Sequence, residues 1–290
     1  MAVYFDAHNH LQDAWLQPVR TQVWKDLGTI PLRAAVVNGT AESDWGHVAT
    51  LAEANEWSDP AGSMRFAVVP SYGLHPWQVG NRSAEWQKAL RERVHGNVRA
   101  GIGEIGLDRW MLDRAPPGDP RLGGLRRALL EEQLEVFTWQ LELATELNRP
   151  ATIHCIDAWG ALAQALRDTP PPRRGFLLHA YGGSIEMARE FAALGAYFSF
   201  NGYFLGDPQR AKRNVFQQLP ADRILVETDA PAMPLPEARR KFTLPGLAEG
   251  NVINHPANIV AVYAGLAEVR GEPVESLAVQ IEENFRRLFL

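Results

Sequence analysis

Short apolar runs recur along the chain, each followed by turn residues and then by a stretch whose apolar positions fall three or four apart. The runs are Val3–Ala7, Ala34–Asn38, Phe66–Gly73, Ala100–Ile105, Ala151–His154, Phe176–His179, Tyr197–Phe200 and Ile224–Glu227. Continuous runs of this length, rich in Val, Ile and Phe, predict strands buried on both faces. The stretches between them predict helices over Ser43–Glu56, Ser83–Val94, Leu125–Leu147, Ala158–Arg167, Ile185–Leu194 and Pro208–Gln218. A weaker helical pattern runs from Gln17 to Ile30, and Asn258–Glu268 and Pro273–Phe289 read as two closing helices. Asp207 before Pro208, and Asp157, Ser83 and Ser184, are placed to cap helix starts. Alternation of strand and helix predicts a parallel sheet. Eight such units in 290 residues predict an α/β fold, a (β/α)8 TIM barrel, as a single domain over residues 1–290. A doubly wound open sheet would need a glycine-rich turn after the first strand. The sequence has Ala7-His8-Asn9-His10 there.

The polar residues at the ends of these runs carry the chemistry. In a barrel the reactive face gathers at the C-terminal ends of the strands. Asp6, His8 and His10 end the first run, and alternation along a strand puts all three on one face. Glu104 ends the fourth, His154 the fifth, His179 the sixth, and Asp229 follows the eighth. Each alone has a structural explanation, as a core histidine, an ion-pair partner or a turn former. Four imidazoles and two carboxylates at strand ends of one repeating pattern form a metal-ligand set. His8, His10 and Asp229 are assigned to one divalent cation, His154 and His179 to a second, and Glu104 to the bridge between them. Asp6 supports the first pair from behind. A water shared by two such cations ionises near neutral pH and becomes a nucleophile, with Glu104 and Asp229 as the catalytic carboxylates and Asp229 taking the proton. Ligand softness favours Zn or Mn over Mg.

The other histidines divide by context. His75, in Gly73-Leu-His75-Pro76, ends the third strand and faces the mouth, where it would touch substrate. His47 falls in a helical pattern and His95 just before Gly96, and both read as solvated; His255 before Pro256 reads as a turn residue. Cys155 has the opposite parity to His154 and should face the helices as a small apolar residue.

Composition then narrows the picture. Apolar residues make up 46% of the chain, enough for a large core. Lys and Arg number 29 against 34 Asp and Glu, a formal net charge of −5, which excludes a globally basic nucleic-acid binder and leaves only a local basic patch. A single cysteine allows no internal disulfide and suits a reducing compartment. No apolar leader and no run long enough to cross a bilayer is present, so a soluble, cytoplasmic protein with no membrane partner is expected.

Taken in order, the motifs resemble the TatD family of metal-dependent hydrolases, within the amidohydrolase-like barrels. The resemblance rests on Asp6-x-His8-x-His10, Gly73-x-His75-Pro76, Gly103-Glu104-Ile-Gly-Leu-Asp108, Ile153-His154, Leu178-His179, Phe198-Ser-x-x-Gly202 and Glu227-Thr-Asp229-Ala-Pro231. It continues through Asn254-x-Pro256-x-Asn258 and Asn284-Phe-x-Arg-x-Phe289, and so spans nearly the whole chain. It implies a deoxyribonuclease-like phosphodiesterase that uses divalent metal, often acting from a 3′ end. Two positions depart from the family pattern. Ile156 stands where an arginine is frequent, and Arg109 where an aromatic residue is common.

Expected substrate contacts are His75, Arg109 and Tyr203. Arg114 and Arg121 follow the fourth strand, and Arg239-Arg240-Lys241 follow the eighth; guanidinium groups suit phosphate. Trp77, Trp110, Tyr181, Tyr203 and Phe204 could stack on bases. The expected partner is DNA, single-stranded or at a 3′ end, or a small phosphodiester, acted on by a monomer or weak oligomer. Hydrolysis of a small amide, ester or lactone by the same two cations is the alternative. Many related barrels bridge their metals with a modified lysine from the fourth strand, and this chain offers Glu104 there. A non-enzymatic metal-binding role is the third reading, and a complete ligand set argues against it.

Overall fold

A computed structural model describes residues 2–54, 66–245 and 252–290. Eight strands lie side by side in chain order, each parallel to the next. They are β1 (Tyr4–Asn9), β2 (Leu32–Asn38), β3 (Ala67–Tyr72), β4 (Gly101–Asp108), β5 (Ala151–Ile156), β6 (Phe176–Leu178), β7 (Ala196–Asn201) and β8 (Ile224–Glu227). The helices are α1 (Arg20–Leu27), α2 (Trp45–Ala54), α3 (Trp86–His95), a single turn α4 (Trp110–Asp113), α5 (Leu130–Glu146), α6 (Trp159–Asp168), α7 (Ile185–Ala193), α8 (Arg210–Gln218), α9 (Ile259–Arg270) and α10 (Val274–Phe289). The barrel expected from the alternation is therefore the observed architecture. No helix among the described residues is long and apolar enough to cross a membrane.

The seam between β8 and β1 is bridged at the C-terminal ends of both strands. Asp229 N–H donates to the His8 carbonyl at 2.9 Å, and His10 N–H donates to the Ala230 carbonyl at 2.8 Å. The closing helices hold β1 from outside. The Tyr263 hydroxyl donates to the Phe5 carbonyl and accepts from the Phe5 N–H, and Phe285 packs on the Phe5 ring at 4.9 Å. Glycine sets the closeness of β4 to β5. A Cβ on Gly106, where φ is +145°, would stand 2.0 Å from the His154 carbonyl oxygen. Only a residue without a side chain lets those two strands meet.

Element ends depart from the expectation where side chains or turns take over the backbone. β4 runs on to Asp108, and α5 begins five residues later than the apolar spacing predicts. The residues before it are committed elsewhere. Arg126 N–H donates to Asn81 Oδ1 and its guanidinium to the Gly80 carbonyl, while Arg127 donates to the carbonyls of Met111 and Ala115. The last two residues of the helix expected over Ser43–Glu56 lie outside the described residues. Ser184 caps α7 by accepting from Met187 N–H. Asp157 does not cap α6; it has φ +56° and faces Arg114 at 3.4 Å. Asp207 opens a 3-10 turn and makes no cap bond.

Candidate metal centre

The six assigned ligands and His75 all reach one place. His8 Nε2 and His10 Nε2 lie 3.1 Å apart. They stand 3.4 and 3.3 Å from Glu104 Oε2, and both are 3.4 Å from Asp229 Oδ1. The other Glu104 oxygen faces a second group. Oε1 is 2.9 Å from His179 Nε2, 3.1 Å from His154 Nδ1 and 3.4 Å from His75 Nε2. His154 Nδ1 and His179 Nε2 are 3.2 Å apart. Donors around one tetrahedral cation at about 2.0–2.1 Å lie roughly 3.3–3.4 Å from one another. Both groups come close to that spacing, and both are made of imidazole and carboxylate, the donor types that borderline divalent cations take. The residues therefore fit metal, and Glu104 is the group common to both sets.

The electrostatics agree. Burial opposes ionisation of Glu104, yet the imidazoles of His179, His75 and His8 and the hydrogen bond from His10 outweigh it and hold the carboxyl well below its ordinary range. Asp229 is likewise held down, against its burial, by His10 and His8. Burial lowers the basicity of His10 and His179, but the carboxylates of Asp229, Glu104 and Glu227 more than offset it and raise both rings well above the usual imidazole value. The chain alone draws protons onto these rings; a cation binds in exchange for them.

The strand ends deliver these side chains with little freedom. Asp229 has φ +53°, a conformation that costs a non-glycine residue about 1–3 kcal/mol. The backbone bonds across the β8–β1 seam hold it there. Asp6 is buried beneath the pair, accepting from the N–H and hydroxyl of Thr228 and from the His8 N–H. Burial is the main reason its carboxyl is pushed up to about 7.

Five supporting residues were not given roles from the sequence. Asp108 Oδ2 lies 3.1 Å from His154 Nε2 and accepts the Trp77 indole N–H at 2.7 Å. Gln133 brackets the Asp108 backbone at both its N–H and its carbonyl. Glu227 Oε1 faces His179 Nδ1 at 3.7 Å, and the carboxylate is held by the Ser199 hydroxyl and by Asn201 Nδ2. Asp108 shares the β4 face of Glu104, and Glu227 stands two residues before Asp229. An acidic residue two or four positions from a ligand was the available signal.

The mouth contacts fare unevenly. Arg109 is half-exposed and pairs with Asp113 at 2.9 Å; Arg121 pairs with Asp119 at 2.6 Å and covers Trp110, and Arg114 pairs with Asp157. Tyr203 is exposed, its N–H tied to Asn201. Tyr181 and Phe204 are not available for stacking on bases. Tyr181 is fully buried against Phe198 and Trp159, and Phe204 against Phe200 and Phe216. Arg239 pairs with Glu268 of α9, and Arg240 donates to the Leu235 carbonyl. Ile156 is 38% exposed at the end of β5, two residues beyond His154. Cys155 is buried, which pushes its thiol up. His255 is a turn residue as expected, accepting from Ala257 N–H and facing Asp26. His47 and His95 are exposed on α2 and α3.

Comparison with known proteins follows the same line. The sequence model described as TatD related DNase matches residues 5–290. A 3′-5′ ssDNA/RNA exonuclease TatD of Pantoea vagans is 28% identical over 98% of both chains. The metal-dependent hydrolase YabD of Bacillus subtilis is 31% identical over 77% of each. Among solved structures, the TatD homologue YjjV of Escherichia coli K12 is 25% identical, with a TM-score of 0.78 over 99% of this chain and 97% of its own. An engineered organophosphate-hydrolysing lactonase, at 14% identity and a TM-score of 0.60, shares the barrel alone. The chain belongs to the family of TatD-related deoxyribonucleases.

Proposed function

We propose that this protein is a two-cation phosphodiesterase that shortens single-stranded nucleic acid from its 3′ end. One observation carries the reading: the two oxygens of Glu104 each face their own set of histidines. His8, His10, Asp229 and Glu104 would hold one cation, and His154, His179 and Glu104 the other. Bound there, two divalent cations neutralise a phosphodiester and supply an ionised water near neutral pH. The imidazole-rich donor set favours Zn or Mn.

The residues divide the remaining work. The Asp229 carboxylate, beside His8 and His10, is placed to accept the proton that the attacking water gives up. Asp6 and the seam bonds fix where that carboxylate sits. At the mouth, the surface pair of Arg109 with Asp113 is weak and can exchange a carboxylate for a phosphate, whereas Arg121 is held by two nitrogens on the buried Asp119. Exposed Tyr203 offers an apolar face to an unpaired base; Trp77 and Trp110, with ring centroids 6.1 Å apart, are only partly exposed, and Arg121 covers the Trp110 ring. With a formal net charge of −5, binding to nucleic acid must lean on the cations and these local contacts.

The direct test is cleavage by metal-reconstituted protein of a 5′-labelled single-stranded DNA, the same strand blocked at its 3′ end, and a small aryl phosphodiester. Stepwise shortening of the free strand but not of the blocked one is expected, together with hydrolysis of the aryl phosphodiester. Hydrolysis of lactones or amides with every phosphodiester untouched would replace this reading with the alternative.

A further inference from the structure

Five histidines point at Glu104, and by distance all five qualify as ligands. The proton each ring carries separates them. A neutral imidazole has one N–H and one lone pair, and only the lone pair binds a cation. The partner of the far nitrogen settles which is which. His10 Nδ1 lies 2.8 Å from the Asn38 carbonyl, an acceptor only, so Nδ1 carries the proton and Nε2 is free to ligate. His154 has its Nε2 on the Asp108 carboxylate, so its Nδ1 is free. His179 turns Nε2 to the site, with its Nδ1 3.7 Å from the Glu227 carboxylate and outside hydrogen-bond distance; it and His8, whose Nδ1 has no hydrogen-bond partner, are kept as ligands on the approach of Nε2 to Glu104 alone.

His75 is the reverse. Its Nδ1 accepts the backbone N–H of Trp77 at 3.2 Å. A backbone N–H only donates, so the Nδ1 lone pair is taken and the ring proton sits on Nε2, the nitrogen aimed at the site. The ring is fixed in that sense by a tight turn, in which Gln78 N–H donates to the His75 carbonyl. The Trp77 indole is anchored in turn on Asp108, the same carboxylate that orients His154. His75 is almost fully buried and packs edge-on to the His154 ring at 4.4 Å.

We infer that His75 is not a metal ligand but the N–H donor of the site, placed to hold an anionic phosphate oxygen beside the His154–His179 group. The inference rests on the phosphodiester reading above for the identity of the anion, and on the hydrogen bonds alone for the exclusion of His75 from the ligand set. The second group then has three protein donors, Glu104, His154 and His179, against four in the first. The side on which His75 stands is where an oxygen of the substrate enters.

The test uses the full chain and three readouts. Nitrogen-15 spectra of histidine-labelled protein, with and without Zn, are expected to show His75 protonated at Nε2 in both states. Elemental analysis should find the cation content of His75→Ala and His75→Gln equal to that of the parent, whereas His154→Ala loses the second cation. Affinity for inorganic phosphate should fall roughly 10–100-fold in His75→Ala, the scale of a lost hydrogen bond to a charged group, and recover in part in His75→Gln, whose amide N–H can donate. A cation deficit in both His75 variants, or a parent spectrum protonated at Nδ1, would make His75 a ligand and overturn the inference. Unchanged phosphate affinity in His75→Ala would equally remove its role as donor. None of these readouts depends on DNA cleavage, so failure to cut a strand would count against the proposed activity alone.

Discussion

The two donor groups share one carboxylate but are held in different ways. On the β1–β8 side, backbone groups do most of the holding, with the Asp6 carboxyl buried beneath them. A main-chain carbonyl fixes the His10 ring, and seam hydrogen bonds fix His8 and Asp229. On the β5–β6 side, buried anions do it: Asp108 behind His154 and Glu227 behind His179. An imidazole backed by a carboxylate is the more basic ligand. The first group compensates with its own carboxylate, Asp229, as a direct donor. Each side of Glu104 thus carries carboxylates of its own, Asp229 and Asp6 on one and Asp108 and Glu227 on the other.

The bridge is the place to break both at once. Glu104→Ala should release both cations and lower phosphodiesterase activity on the order of 10³-fold, the scale of losing a principal charge-stabilising group. Elemental analysis beside the assay checks it; retention of one cation would show that the groups are independent.

Next in size is the asymmetry of support. Asp108→Asn should weaken the second cation roughly 10–100-fold and leave the first unchanged, measured by competition with a chromogenic chelator. Asn38→Ala should leave the first unchanged as well, because the atom that holds His10 is a main-chain carbonyl.

The balance of charge also predicts a pH effect. With the cations chelated, His10, His154 and His179 have folded-state pKa values raised above the ordinary imidazole value: burial opposes the shift in each, and neighbouring carboxylates outweigh it. Their contribution to stability is complete below about pH 6.5 and is lost as pH rises through the raised values. The melting temperature of chelated protein should therefore fall on the alkaline side, by about 2–4 °C for each kcal/mol lost, and cation should restore it. A flat profile in chelator would mean that the rings are not protonated there.

Smallest is the mouth. Arg109→Ala should alter stability by less than about 1 kcal/mol, because its partner Asp113 is a half-exposed surface pair. A large loss of strand binding with intact hydrolysis of a small aryl phosphodiester would place Arg109 on the substrate.

The barrel and the convergence of its donors were legible because both are periodic. Buried parallel strands announce themselves as apolar runs, and a polar residue at the end of each is conspicuous against them. What sequence did not show was pairing between elements. Nothing local in Asp108 says that its carboxylate will meet His154 from the next strand, nor that Glu227 will stand behind His179. Tyr181 and Phe204 looked like mouth residues from their position after strands, but burial depends on what packs over them, here Trp159 and Phe216. Asp157 has the right chemistry for a cap, yet a left-handed backbone and Arg114 took it elsewhere.

The seam carries a consequence for timing. His8 and Asp229 belong to the first and last staves of the ring, and each depends on the other's backbone for its place. A ribosome releasing this chain therefore emits His8 some two hundred residues before Asp229. Until the eighth stave docks, Asp229 has no seam to hold it and the first donor group stays incomplete. Closure of the cylinder and completion of that group are one event.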